Sequence, residues 1–248
     1  MRTKTDAKLL KEAIAYEKKR DWESAKEIYR KLAEKGNAEA QVQVGLSLQD
    51  YKNNDNPSNK TALAWYEKAA DQGHADALNQ AGGMYFHGCG VRRDYKKAMV
   101  YFRKAAKSGF GSALYNIGVM YEMGHGVKKD LEEALMWYRL AAKKGHLGAL
   151  CDIGVIYAHG PKKYRDRLKA RRFVSRAARL GNVFAQYELA LFYEKGIGGE
   201  KNKKKSLTWL RKAADWGLEE AENHMIWLVQ NGKAEPQDES WIYARVEM

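Results

Sequence analysis

A chain of 248 residues with 45% hydrophobic and 30% charged side chains has the ordinary composition of a soluble folded protein, which excludes disorder over most of its length. Two cysteines exclude a disulfide framework, and three prolines among many Ala, Lys, Glu, Leu and Tyr residues favour helix over strand. A net charge of +13 directs attention to an acidic protein surface, nucleic acid or anionic lipid as partner, although surplus lysine also serves solubility. The N-terminus lacks an apolar run of signal-peptide length and no segment approaches the ~20 apolar residues of a membrane span, so a cytoplasmic chain without a membrane partner is expected.

In chain order, residues 1–36 read as two helices, "AKLLKEAIAYEKKRDWESAKEIYRKLAEKG", ending at Gly36. Gly73 follows 37 residues later, and Gly109, Gly145, Gly181 and Gly217 continue at intervals of 36. Each closes a helix-like run, where glycine enters the left-handed cap without a Cβ penalty. Ahead of these glycines stand Asp21, Ser58, Asp94, Asp130, Asp166 and Asn202, side chains able to accept from the free N–H groups of a first helical turn. The helix between cap and glycine is designated B. It carries Ala25, Ala62, Ala98, Ala134, Ala170 and Ser206, with Ile28, Trp65, Tyr101, Trp137, Phe173 and Trp209 three residues later as the expected core. The helix after each glycine, designated A, carries Ala40, Ala77, Ala113, Ala149, Ala185 and Ala221, then Val44, Ala81, Ile117, Ile153, Leu189 and Met225. Mid-helix Gly45, Gly82, Gly118 and Gly154 cost about 1 kcal/mol each against alanine, so a neighbouring helix is expected to pack on the bare backbone.

Between A and B lies a stretch that looks chemical. "MYFHGCGVRRD", Met84 to Asp94, holds a histidine, a cysteine, G-x-G and two arginines, but "MYEMGHGVKKD" repeats its frame from Met120 to Asp130 with the His and Cys positions changed. A loop that recurs while its reactive groups vary is a structural turn, with Val91 and Val127 pinning it to the core. His74 and His146 share one repeat position and His87 and His159 another, each pair two repeats apart, ~20 Å or more, too far to share a metal. No nucleophile, base and oxyanion donor converge, so no catalytic, cofactor or metal residues are assigned and the chain is read as a non-enzyme.

The unit best seen in "ALYNIGVMYEMGHGVKKDLEEALMWYRLAAKKG", Ala113 to Gly145, resembles the SEL-1-like repeat, a relative of the tetratricopeptide repeat. The resemblance implies an all-α, right-handed α-solenoid of helix pairs. Its units are 37–73, 74–109, 110–145, 146–181 and 182–217, preceded by a tetratricopeptide-like pair at 1–36 and followed by a C-terminal helix and capping tail at 218–248, with Trp241, Ile242 and Tyr243 folding back. The first pair lacks the G-x-G-V loop, and the loops at "GPKKYRDR" and "GIGGEKNKKK" depart from the pattern.

The resemblance also implies non-catalytic protein binding, as an adaptor or regulator, through the helix A face that lines the inner wall of such solenoids. The residues there are Asn79, Phe86, Tyr115, Val119, Glu122, Val155, Tyr187, Leu191 and Trp227, with Gly83 and Cys151 in the same row. Two alternatives stand beside it. The chain could be an immunity protein neutralising a toxin, or it could bind an acidic surface or nucleic acid through the basic stretch containing Lys162, Lys163, Arg165, Arg171, Arg172 and Arg179, whose apolar residues Leu168, Phe173, Val174 and Ala177 are expected to face inward. An acidic protein ranks ahead of nucleic acid, since Tyr164 and Phe173 alone interleave the basic residues and Phe173 holds a core position.

Overall fold

The computed structural model describes residues 4–233, which form thirteen α-helices and one 3-10 turn, with no strand among the described residues. The proposed tail cap at Trp241, Ile242 and Tyr243 lies outside them. Two compact units divide the chain, one running up to Lys144 and the other from Gly145. The first contains α1 (Lys4–Lys18), α2 (Trp22–Glu34), α3 (Ala38–Leu48), α4 (Pro57–Asp71), α5 (Ala75–His87), α6 (Tyr95–Ala106), α7 (Gly111–Met123) and α8 (Leu131–Lys143). The second contains α9 (Leu147–His159), the turn Lys162–Tyr164, α10 (Arg167–Arg179), α11 (Val183–Lys195), α12 (Lys203–Asp215) and α13 (Glu219–Gln230). The chain is an all-α solenoid of paired helices, odd-numbered helices being A and even-numbered ones B.

Local chemistry sets the helix ends. Gly36, Gly73, Gly109, Gly145, Gly181 and Gly217 all have φ between 74° and 92°, the left-handed region that ends a helix. Helix B is capped by Asp21, Asp94, Asp130, Asp166 and Asn202, as in Asp94 accepting from the Lys97 N–H at 2.9 Å. Ser58 is a correction: it lies inside α4, and Asn56 takes the cap, accepting from the Ser58 N–H at 3.0 Å. Pro57 occupies the first turn, where its missing N–H costs nothing. The loop before it is held by buried Asn59, whose amide donates to the carbonyls of Asp50, Asn53 and Asn54.

The packing register also differs from the sequence expectation. Ile28, Trp65, Tyr101, Trp137, Phe173 and Trp209 are half-buried, whereas the residues one position later, Tyr29, Tyr66, Phe102, Tyr138, Val174 and Leu210, are the buried ones. These side chains meet the mid-helix glycines. A Cβ on Gly45 would lie 2.5 Å from the Tyr66 ring, on Gly82 2.7 Å from Phe102, on Gly118 2.6 Å from Tyr138 and on Gly154 2.5 Å from Val174. Glycine is therefore present because a buried side chain of the paired B helix rests directly on the A backbone. Where that partner is Leu210, alanine is accommodated at the matching position, Ala190.

The A-to-B turns are structural in detail. The N–H of Asp94, Asp130, Asp166 and Asn202 each donates at 2.9 Å to the carbonyl of Tyr85, Tyr121, Tyr157 and Tyr193, so the turn closes identically even after Gly160, where a 3-10 turn replaces G-x-G. Gly90, Gly126 and Gly198 have positive φ and press on a preceding segment, a Cβ on Gly90 falling 2.5 Å from the Asn59 backbone. Val91 and Val127 pack on the first unit's core.

Candidate functional site

Four of the A helices, α3, α5, α9 and α11, begin with a side-chain cap, whereas α7 and α13 have none. Asn37 and Asn182 accept from the N–H three residues on, and His74 and His146 do the same through Nδ1, 3.4 Å from the Ala77 N and 3.2 Å from the Ala149 N. The two periodic histidines are thus helix caps. Burial holds the His146 pKa below the usual imidazole value, which keeps the ring neutral and able to accept. The buried alanines Ala77, Ala113, Ala149 and Ala185 then seat the helix on the core.

In the first unit, the expected partner-binding row surrounds a real cavity. Gly83, Phe86, His87, Phe102, Tyr115, Asn116 and Val119 line a pocket of about 210 Å³. The register position of Gly83 is Leu46, Val119, Val155, Leu191 and Trp227 in the other units, and nothing lies within 4 Å of where its Cβ would be. The absent side chain opens the pocket. Phe86, one of the lining residues, is held by further rings: it meets Tyr95 and His125 edge-on, and Tyr95 and His125 stack at 4.5 Å. Burial, with Arg93 adding to it, lowers the His87 pKa and so favours the neutral ring. Asn79 and Glu122 are partly committed to the fold, Asn79 Oδ1 accepting from Asn116 at 2.9 Å and the Glu122 carboxylate from the Tyr138 hydroxyl at 2.6 Å. Tyr115 lies tilted over Tyr138 at 5.5 Å.

The second unit presents Val155, Tyr187 and Leu191 half-buried and Trp227 45% exposed. Tyr187 meets the His224 ring edge-on at 6.1 Å, and Lys233 Nζ sits 4.5 Å over Trp227. Cys151 does not belong to an open row: it is buried, and desolvation pushes its thiol up to about 12. Cys89 is likewise buried rather than an open loop residue. Its thiol donates to Asn54 Oδ1 at 2.9 Å and burial raises its pKa, which opposes a reactive thiolate. Among the described residues, no three His, Cys, Asp or Glu side chains are grouped so as to hold a metal.

Helix α10 carries the basic surface. Ala170, Val174, Ala177 and Ala178 form its buried face, and Leu168, expected to point inward, is 71% exposed on the opposite one. A groove of about 1060 Å³ runs along that outer face. The basic residues are not equivalent. Arg171 is half-buried with its guanidinium 4.1 Å from the Tyr193 ring, and Arg165 Nε donates to the Gly160 carbonyl at 2.8 Å. Lys162 and Lys163 belong to the 3-10 turn, Lys163 lying 4.7 Å over Tyr164. Arg172 and Arg179 are exposed.

The Sel1 repeat matches residues 38–74, 75–110, 111–146, 148–182 and 183–217. The chain belongs to the Sel1 repeat family. Five Sel1 repeats thus cover α3 to α12, leaving the first helix pair and α13 outside the match. Among solved structures, a Sel1 repeat protein from Oxalobacter formigenes is 28% identical with a TM-score of 0.80, the alignment covering 96% of this chain and 98% of that one. The protective antigen c5321 of uropathogenic Escherichia coli strains is 27% identical with a TM-score of 0.71; this chain aligns over 94% of its length but spans only 51% of the antigen. Immunity protein Pa5087 from Pseudomonas aeruginosa is 24% identical with a TM-score of 0.55 over 75% of this chain and 68% of that one, a likeness of fold alone. No curated protein matches the sequence. The Sel1 fold is a protein-interaction scaffold, and no helix among the described residues is long and apolar enough to cross a membrane.

Sequence reasoning missed two features of this Sel1 chain. The pocket was signalled by Gly83 alone in a column of Leu, Val and Trp, and the true core register by the second aromatic or aliphatic residue one place beyond each half-buried one.

Proposed function

We propose that the chain acts by binding another protein through the A-helix faces, and that this partner is a toxin for which the chain is the immunity protein. The observation that carries the binding reading is the aromatic pocket opened by Gly83, where Phe86, Tyr115 and Val119 border about 210 Å³ of space large enough for a partner's apolar side chain. Support for the immunity role comes from the shared fold with Pa5087 and with a second Pseudomonas aeruginosa immunity protein, PA5088. An adaptor or regulator would use the same surface, but no observation favours it over immunity. The net charge of +13 suits a partner with an acidic surface.

The test starts from the neighbouring reading frame: where it encodes a toxin-like protein, that protein is co-expressed with this chain. Cells are expected to survive with the intact chain and to lose protection with Tyr115→Ala or Phe86→Ala, and affinity measured on the purified complex should fall by ~2 kcal/mol for an anchoring aromatic. Tyr187→Ala and Trp227→Ala test the second unit in the same way. Unchanged affinity in all four variants, each shown to be helical by circular dichroism, would overturn the A-face assignment.

A further inference from the structure

We infer that the outer face of α10 is a second docking surface, and that its occupant is an acidic helical segment of a protein partner carrying an apolar anchor at each end. This deepens the reading of the chain as a protein-binding scaffold and rests on it. Within α10 stand Arg167, Lys169, Arg171, Arg172, Arg176 and Arg179, with no acidic residue. Like charges fall four apart at Arg167 and Arg171 and at Arg172 and Arg176, an arrangement that weakens a helix. Arg167 and Lys169 also sit in the first turn, against the helix dipole. Asp166 caps that end and pairs with Lys169 at 3.0 Å, but Arg172, Arg176 and Arg179 have no ionic partner among the described residues. The face therefore carries an uncompensated positive charge that an acidic partner would neutralise.

Solubility alone does not explain the face, because two large apolar side chains bracket the arginines. Leu168 is 71% and Leu180 55% exposed, and both line the groove together with Arg172, Ser175, Arg176 and Arg179. They lie twelve residues apart, about 18 Å along a helix. A partner helix with leucines eleven residues apart, which share one face at a separation of about 16.5 Å, and carboxylates between them would meet both the leucines and the arginines of the groove. Nucleic acid fits less well. It has no use for the leucines, and the aromatic ring lining the groove, Tyr193, is already covered by the Arg171 guanidinium.

The probe is a fluorescein-labelled helical peptide of roughly 17 residues, with two leucines about eleven positions apart on one face and glutamates between them, titrated with the full chain by anisotropy at about 0.15 M salt. Saturable binding is expected, weakened at least tenfold by Arg172→Glu with Arg176→Glu and severalfold by Leu168→Ser with Leu180→Ser. A peptide of equal charge with serine for leucine should bind severalfold more weakly. Arg172→Gln with Arg176→Gln serves if the Glu pair fails to fold. Three results would each overturn the proposal: equal binding of the leucine-free peptide, tighter binding of a DNA oligomer of equal charge that ignores the leucine changes, or self-association of the chain through this face in sedimentation. Tyr115→Ala should leave peptide binding intact. If the peptide does not bind while Tyr115→Ala still breaks the toxin complex, the α10 assignment fails and the scaffold reading stands.

Discussion

Helices α8 and α10 hold the same place in their repeats, and their buried faces share a frame of alanines, Ala134 and Ala141 in one and Ala170 and Ala177 in the other, with Tyr138 matched by Val174. Their open faces share little. That of α8 mixes Glu132, Met136, Arg139 and Leu140, whereas that of α10 is arginine bracketed by leucine. Close packing constrains one face of each helix to a few side-chain volumes, while water tolerates almost any side chain on the other. In a repeat protein the buried face therefore records the fold, and the open face is where one unit can acquire a binding task its neighbour lacks.

The largest effects should come from the buried face. Gly118→Val is expected to lose about 3 kcal/mol in urea unfolding, because its side chain would enter the Tyr138 ring. With Tyr138→Leu already present, Gly118→Ala should turn neutral or stabilising, as alanine exceeds glycine in a helix by about 1 kcal/mol and the Ala190–Leu210 pair already uses this solution. The same rescue should be incomplete where α9 packs on α10. There a Cβ on Gly154 would lie 3.1 Å from the Ala170 carbonyl oxygen as well as 2.5 Å from Val174, so Gly154→Ala should stay destabilising even beside Val174→Ala. Equal rescue at both sites would show that backbone proximity does not matter.

A smaller contrast lies across α10 itself. Val174→Ala should cost about 2 kcal/mol through the cavity it leaves, whereas Leu168→Ser should stay within about 0.5 kcal/mol because that side chain already faces water. Comparable losses in thermal melts would place Leu168 in the core. Smallest of all, Arg172→Glu should raise stability by about 0.2–0.5 kcal/mol at low salt by removing a like-charge neighbour, and the gain should vanish at high salt. Arg139→Glu on α8, whose first turn already carries Glu132 and Glu133, should show no such gain.

The sequence by itself determined the helix pairs, their period and most of their ends, because caps and left-handed glycines act within a few residues, the glycines recurring six times and the expected helix B caps five. It also showed the G-x-G turn to be structural, since Cys89 and His125 exchange within a constant frame. What it left open depends on contacts between helices. Half-buried Trp137 and buried Tyr138 differ by one position, 100° of rotation, and both are aromatic, so periodicity alone does not say which meets Gly118. Asn56 rather than Ser58 became a cap because Pro57 and the loop held by Asn59 set where α4 begins. The pocket beside Gly83 and the exposure of Leu168 were likewise decided only in three dimensions. A cavity is bounded by side chains from several helices, and an apolar residue is buried only where another element covers it.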